Sequence, residues 1–191
     1  MTHDSYDVPD LDPIPALGSV VEQGRGSLPF ALIHGEALVT CAAWALGDAG
    51  VTPADLGTEW PGLVESGEPF VLHDSLCPMV PASFIAACVA DAMERDVVVV
   101  GVRPVTDTVK SVTGDLVGAT IDRTALVAVA SPIVLPPSVV AALDRLPTLD
   151  FAALVAALRE LFPVELVAAP PSGRRVASED DVRLLEALTA R

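Results

Sequence analysis

Short apolar runs and amphipathic stretches alternate along this chain, and the alternation predicts its elements. Ala16 to Glu22 reads as a first strand, leading into the turn-forming loop Gly24-Arg25-Gly26-Ser27. Glu36 to Ala49 carries Leu38, Cys41, Ala42, Ala45 and Leu46 on one face and ends at Gly50, the pattern of a helix closed by glycine. Thr52 to Pro69 holds three Pro and three Gly, and reads as a loop with room for one helical turn. Phe70 to His73 is a short buried strand that stops at Asp74. Pro81 to Arg95 predicts a helix with Phe84, Ile85, Cys88, Val89 and Ala92 facing inward; Asp96 breaks it, and Val97 to Val102 is the next strand. Strand, helix, strand in this order is a parallel crossover.

Further on, Leu116-Val117 and Leu126 to Ala130 predict extended pieces of an antiparallel arm that turns at Gly114-Asp115. Leu149 to Phe162 is amphipathic and helical, and Pro163 to Ala168 is a last core strand. Ser178 caps the final helix, with Asp181 three residues on and Val182, Leu184, Leu185 and Leu188 as its apolar residues. The fold class is therefore α/β, with a mostly parallel sheet between helices. Met1 to Asp12 is acidic, lacks the layout of a signal peptide and is expected to be a disordered tail; residues 13–191 are expected to form one domain, with the arm at about 104–125.

Composition narrows the partners. Apolar residues make up 51% and aromatic residues 4%, so Ala, Val and Leu must build the interior. Twenty-six acidic residues against 11 basic ones give a formal charge of -15, which repels nucleic acid and anionic membrane alike. No apolar run reaches the length of a membrane span. Cys41, Cys77 and Cys88 have neither metal-ligand nor disulfide-framework spacing and read as free thiols of a cytoplasmic protein.

The candidate chemistry clusters after strands. Between Thr106 and Lys110 two Thr hydroxyls, one carboxylate and the chain's single Lys follow the apolar run Val97 to Val102. Such polar groups belong in a cleft or a protruding arm and not in a sheet interior. Asp74 ends a strand where α/β sheets place ligands, and it reads equally as a holder of a hard cation or as a turn cap. His73 reads as a residue satisfying a backbone group. Gly24, Gly26 and Ser27 form either an ordinary turn or a set of backbone N–H groups offered to phosphate. Arg174-Arg175 precedes a helix N-terminus, as an anion site or as a solvated pair.

Taken together and in order, these segments are similar to the 2-C-methyl-D-erythritol 4-phosphate cytidylyltransferases of the non-mevalonate isoprenoid pathway. Phe70-Val71-Leu72-His73-Asp74-Ser75-Leu76-Cys77-Pro78 resembles the family's strand ending in His-Asp-Ala-Ala-Arg-Pro. Pro104-Val105-Thr106-Asp107-Thr108-Val109-Lys110 resembles its Pro-Val-x-Asp-Thr-x-Lys element, and Thr120-Ile121-Asp122-Arg123 its Thr-x-Asp-Arg. Arg174 to Asp181 resembles the closing Ile-Lys-x-Thr-x-Pro-Glu-Asp segment. The resemblance implies a Rossmann-like nucleotidyltransferase fold, a homodimer locked by exchanged arms, and transfer from CTP to a sugar-alcohol phosphate with magnesium. It implies Asp74 near metal and substrate, Arg25 as the loop's catalytic cation, and Asp107, Thr108, Arg175 and a cross-dimer Arg123 on the sugar phosphate.

Three departures stand beside it. The family's first loop is glycine-rich and ends in Pro-Lys, whereas here the loop is shortened and Pro29 is followed by Phe30. Cys77 replaces an Arg, and Thr52 to Pro69 is too short for two intervening strands and a base-recognising turn. The expectation is a family member with weak or lost catalysis; the alternative is a non-catalytic dimeric binding or regulatory protein.

Overall fold

The computed structural model describes residues 14–105, 109–113, 116–123 and 126–190. Strand β1, Ala16–Val21, opens the sheet. A one-turn 3-10 helix at Leu28–Phe30 and a small hairpin of β2, Leu32–Ile33, and β3, Glu36–Ala37, follow. Helix α1 spans Leu38–Asp48 and leads to β4, Val51–Pro53. Helix α2, Trp60–Ser66, precedes β5, Phe70–Asp74; helix α3, Ala82–Arg95, precedes β6, Val98–Pro104. The arm is a hairpin of β7, Val109–Thr113, and β8, Leu116–Ile121. Strand β9, Val127–Leu135, and helices α4, Pro137–Ala142, and α5, Phe151–Arg159, come next. Strand β10, Val164–Ala168, and helix α6, Glu179–Thr189, finish the order.

The main sheet runs β10-β6-β9-β5-β1-β4 and is parallel except for β9, which is antiparallel to both its neighbours. Val98, Val99 and Val100 are all fully buried, so the centre of the sheet is covered on both faces, as a parallel sheet requires. One face packs Phe70, Leu72, Val100 and Ile133 against Leu63 of α2, Val140 of α4 and Leu154 of α5. The other packs Val71, Val99 and Val134 against Leu46 of α1 and Ile85, Cys88 and Val89 of α3. This is a three-layer α/β fold. A smaller cluster of Ile33, Leu38, Leu76, Val176, Val182 and Leu185 fixes α6 beside the small hairpin.

Local rules account for most boundaries. In α3 the buried Ile85, Cys88, Val89 and Ala92 follow the three-and-four spacing of one helical face, while Phe84 is partly exposed. Asp96 closes α3 in the left-handed conformation, φ 53°. Ser178 accepts from Asp181 N–H at 3.2 Å, and the Asp181 carboxylate reaches back to Ala177 N–H at 2.9 Å. These two bonds resemble a capping box, with the carboxylate reaching the residue before the cap, Ala177, and not the N–H of Ser178 itself.

The structure corrects three sequence expectations. Glu36 and Ala37 belong to the hairpin, so α1 starts at Leu38. Thr52 to Pro69 contains β4 and the two-turn helix α2, whose Pro61 stands in the first turn and whose Gly67 closes it at φ +66°. Pro near the start and Gly just past the end mark a helix. Leu126 to Ala130 is not an arm strand; β9 carries Val127 onward into the middle of the main sheet. Pro132 disguises that strand, since proline lacks the ladder N–H. Around its cis Ser131–Pro132 peptide the β6–β9 ladder shifts register between Val100 and Val102. Gly101 allows this close approach, because a Cβ there would meet the Ser131 carbonyl. The expected turn at Gly114-Asp115 and the acidic tail lie outside the described residues.

Candidate functional site

Parallel pairing of β1 with β5 puts Val21 beside Asp74, so the loop after β1 and the end of β5 meet at the carboxyl edge. Ser75 fastens this edge, its N–H and hydroxyl both donating to Val21 O at 3.1 and 2.8 Å. Gly24 and Gly26 take φ +74° and +62°, the left-handed region that glycine enters without a Cβ penalty, and the loop turns sharply there. Arg25, between them, points back over the sheet.

Asp74 is the centre of the arrangement, with 1% of its side chain exposed. Arg25 Nε donates to Oδ1 at 3.1 Å, Arg175 Nε donates to Oδ2 at 2.9 Å, and Leu76 N–H also donates to Oδ1 at 3.0 Å. The two guanidinium groups differ in setting: the side chain of Arg25 is 8% exposed and that of Arg175 38%. Arg25 has more to hold it. Its Nη2 donates to Leu149 O at 3.0 Å, its Nη1 to Gln23 O at 3.3 Å, and its guanidinium carbon lies 5.7 Å from the centroid of the Phe151 ring. Each of its three nitrogens makes one hydrogen bond to the protein, that of Nη1 at the surface.

Behind Asp74, Ser131 Oγ accepts from Asp74 N–H at 3.0 Å and shares a 2.6 Å hydrogen bond with His73 Nδ1. His73 therefore bonds a side chain, not the backbone group expected from sequence. Complete burial drives its pKa down to about 4 against the opposing pull of the Asp74 charge, so the ring is neutral at pH 7. Its Nε2 has no hydrogen-bond partner among the described residues.

Two cavities open here and share Val129 and Arg175 as lining residues. The first, about 200 Å³, lies over Asp74 among Arg25, Asp150, Phe151 and Ala152. Asp150 is occupied in capping α5, accepting from Ala153 N–H at 2.9 Å. The second, about 400 Å³, lies between the end of β6 and the segment after β10, with Arg103, Arg174 and Arg175 on its wall. Magnesium, which the family resemblance implies at Asp74, finds no preformed cage: guanidinium groups cover both carboxylate oxygens. Among the described residues no group of three or more His, Cys, Asp and Glu could hold a metal ion. The residues present do not fit the ion.

Of the residues predicted from sequence, Arg25, Asp74 and Arg175 converge, and Gly24, Gly26 and Ser27 form the loop beside them. Arg123 is exposed just beyond β8, with its carbonyl accepting from Leu126 N–H at 3.0 Å. Asp107 and Thr108 lie outside the described residues. Cys77 is buried and faces no solvent; burial pushes its thiol well above the ordinary range. Sequence reasoning missed Arg103, Ser131, Leu149 and Phe151. Arg103 had a usable signal, a charge at the end of an apolar strand; the other three had none.

A Rossmann-like sheet with its loop, acid and arginines gathered at the carboxyl edge is a nucleotidyltransferase fold. Solved structures share it. The chain is similar to the 2-C-methyl-D-erythritol 4-phosphate cytidylyltransferase of Thermus thermophilus, with a TM-score of 0.66 and 21% identity over 92% of this chain and 98% of that one. It is also similar to the 4-diphosphocytidyl-2C-methyl-D-erythritol synthase of Anaerococcus prevotii, with a TM-score of 0.65 and 13% identity over 93% and 99%. A third likeness is to the Francisella tularensis cytidylyltransferase, with a TM-score of 0.64 and 12% identity over 90% and 97%. No curated protein matches the chain by sequence. The sequence profile of the 2-C-methyl-D-erythritol 4-phosphate cytidylyltransferase family matches residues 62–190, and the chain belongs to that family. Among the described residues no helix is long and apolar enough to cross a membrane.

Proposed function

We propose that this protein binds a small polyol phosphate at the carboxyl edge of its sheet, and carries out the family's CTP-dependent nucleotidyl transfer weakly or not at all. The state of Arg25 carries the reading. Transfer from a nucleoside triphosphate rests on cations aimed at the phosphates. Here the loop's cation spends every nitrogen on Asp74, Gln23 and Leu149, and Phe30 follows Pro29 where the family has Lys. The cavity over Asp74, about 200 Å³, is also below the roughly 300–1,000 Å³ of ordinary ligand pockets. Loss of one preorganised contact of this kind costs about 3–4 kcal/mol in the transition state, a factor of hundreds.

The test is pyrophosphate release with CTP, magnesium and 2-C-methyl-D-erythritol 4-phosphate, beside a family enzyme that has the Pro-Lys loop. Turnover at least about a hundredfold lower is expected. Phe30 is 61% exposed, so Phe30→Lys can be made without cost to the core, and it is expected to raise the rate about tenfold or more. Turnover equal to the family enzyme would overturn the proposal.

A second reading is a non-catalytic binding protein that dimerises through the β7–β8 arm. It is favoured by the closure of both Asp74 oxygens and by Phe30 and Leu32, apolar side chains 61% and 63% exposed beside the loop. Sedimentation equilibrium of the full chain and of a variant lacking the arm hairpin tests the dimer. Calorimetry separates the readings, since CTP binding with a Kd below roughly 100 µM, about -5.5 kcal/mol, would exclude a protein that has abandoned nucleotide.

A further inference from the structure

We propose that the cavity of about 710 Å³ alongside helix α1 binds a linear polyamine, a flexible carbon chain with an ammonium group at each end. This cavity shares no lining residue with either of the two at the carboxyl edge. The inference goes beyond the proposed function and does not depend on it.

Helical spacing builds one wall. Cys41, Trp44, Ala45 and Asp48 recur three and four residues apart, so α1 turns all four to the cavity. The loop from Pro78 to Ala82, which leads from β5 into α3, forms a second wall. The small hairpin and the last turn of α6 add His34 and Thr189, and these are fixed to each other. His34 Nε2 shares a 2.7 Å hydrogen bond with Thr189 Oγ1, and His34 N–H donates to Glu186 Oε1 at 2.6 Å. The space is therefore preformed, and its volume falls inside the roughly 300–1,000 Å³ of ordinary ligand pockets.

Charge complementarity selects the ligand. Two carboxylates line the cavity: Glu36, in β3 just ahead of α1, and Asp48, the last residue of α1. The Glu36 charge is felt within it, since burial and then Glu36 raise the pKa of the Cys41 thiol. Neither carboxylate forms an ion pair among the described residues. From Cys41 to Asp48 the helix rises about 10 Å, too far for one ammonium to serve both acids. Trp44 stands between them on α1, 55% exposed, and offers its ring to a cation. Ile33, Met79 and Pro81 supply carbon surface for methylene groups. The terminal nitrogens of extended spermidine are about 11 Å apart, and those of putrescine about 6 Å, so the longer chain fits the span. A metal cation would leave the apolar wall unused. The formal charge of -15 also draws polycations to this chain from solution.

The test is isothermal titration calorimetry of the full chain at low ionic strength with spermidine, putrescine and magnesium chloride. Wild type is expected to bind spermidine with a Kd of about 1 mM or tighter, putrescine at least about fivefold more weakly, and both less well as salt rises. Trp44→Leu, Glu36→Gln and Asp48→Asn should each weaken spermidine about threefold, and the two carboxylate changes together about tenfold. All three positions are exposed, so the substitutions leave the core intact. Glu65→Gln/Glu160→Gln removes the same charge from exposed sites outside the cavity and should bind within about twofold of wild type. Arg191 follows Thr189 by two positions, outside the described residues, and Arg191→Gln should likewise bind within about twofold. No spermidine binding at about 10 mM, or putrescine or magnesium binding as tightly, would overturn the inference. Equal weakening by Glu65→Gln/Glu160→Gln would overturn it too, because the general field of the protein would then explain the binding. Arg191→Gln binding about tenfold more tightly would also overturn it, by making the chain's own guanidinium the occupant. None of these outcomes bears on polyol phosphate binding, so the proposed function stands or falls separately.

Discussion

Replacing Arg25 by Ala removes the more buried of the two cations that hold Asp74, and the cost follows from the exposures. A carboxylate 1% exposed would keep only Arg175 and the Leu76 N–H. Breaking a buried pair by deleting one partner costs about 3–5 kcal/mol. The surviving Arg175 contact places Arg25→Ala at the lower end, about 3 kcal/mol. Arg175 is itself 38% exposed, so solvent screens its share, and Arg175→Ala should cost only about 1 kcal/mol. Asp74→Ala leaves a nearly buried guanidinium without its counter-ion and should cost about 4 kcal/mol. For a chain of 191 residues each kcal/mol lowers Tm by about 2–4 °C. Urea unfolding of the three variants at pH 7, with thermal scans beside it, measures the order. The coupling in an Arg25/Asp74 double-mutant cycle should reach about 2 kcal/mol. An Arg175→Ala variant as unstable as Arg25→Ala, or an Asp74→Ala variant more stable than wild type, would refute the claim that this pair is buried and mutually neutralising.

His73 has a pKa of about 4 in the fold, against about 6.5 in an unfolded chain. The unfolded state therefore binds more protons between those values, and stability falls as pH drops through the window, by about 3 kcal/mol in all. Urea midpoints from about pH 7 to 4 should show this fall in wild type and its absence in His73→Gln. Gly101→Ala drives a Cβ into the Ser131 backbone and should cost about 3 kcal/mol, read as a lower urea midpoint with unchanged slope. The thiol of Cys88 is pushed up to about 12 and that of Cys77 well above its ordinary range by burial, while Cys41 is partly exposed. Alkylation of the native chain at about pH 8 should yield one slow adduct, at Cys41, and three adducts only in denaturant, as counted by mass spectrometry.

How much was legible depends on whether the governing interaction is local. The face of α3, the stop of β5 at Asp74 and the Ser178 cap of α6 are written in spacings of a few residues, and each stands where the pattern put it. The ordered motifs from Phe70 onward carried the family relationship in the same way. Residues 52–69 mislead because Pro and Gly read as loop formers, when Pro61 and Gly67 stand at the two ends of α2. Strand β9 is misread as part of the arm because what seats it in the main sheet is Gly101, far earlier in the chain on β6, which admits its Ser131 backbone.

From its order of residues alone, this chain determined its α/β class and its strongly acidic balance of charge, and it singled out Arg25, Asp74 and Arg175, which the fold brings together. What those residues do to one another was decided by the tertiary structure. Asp74 and Arg175 are 101 positions apart, and Arg25 meets Leu149 across 124. Their pairing depends on which segments end together along one edge of a sheet. Charge neutralisation acts over a few ångströms of space, and sequence spacing carries no measure of that distance.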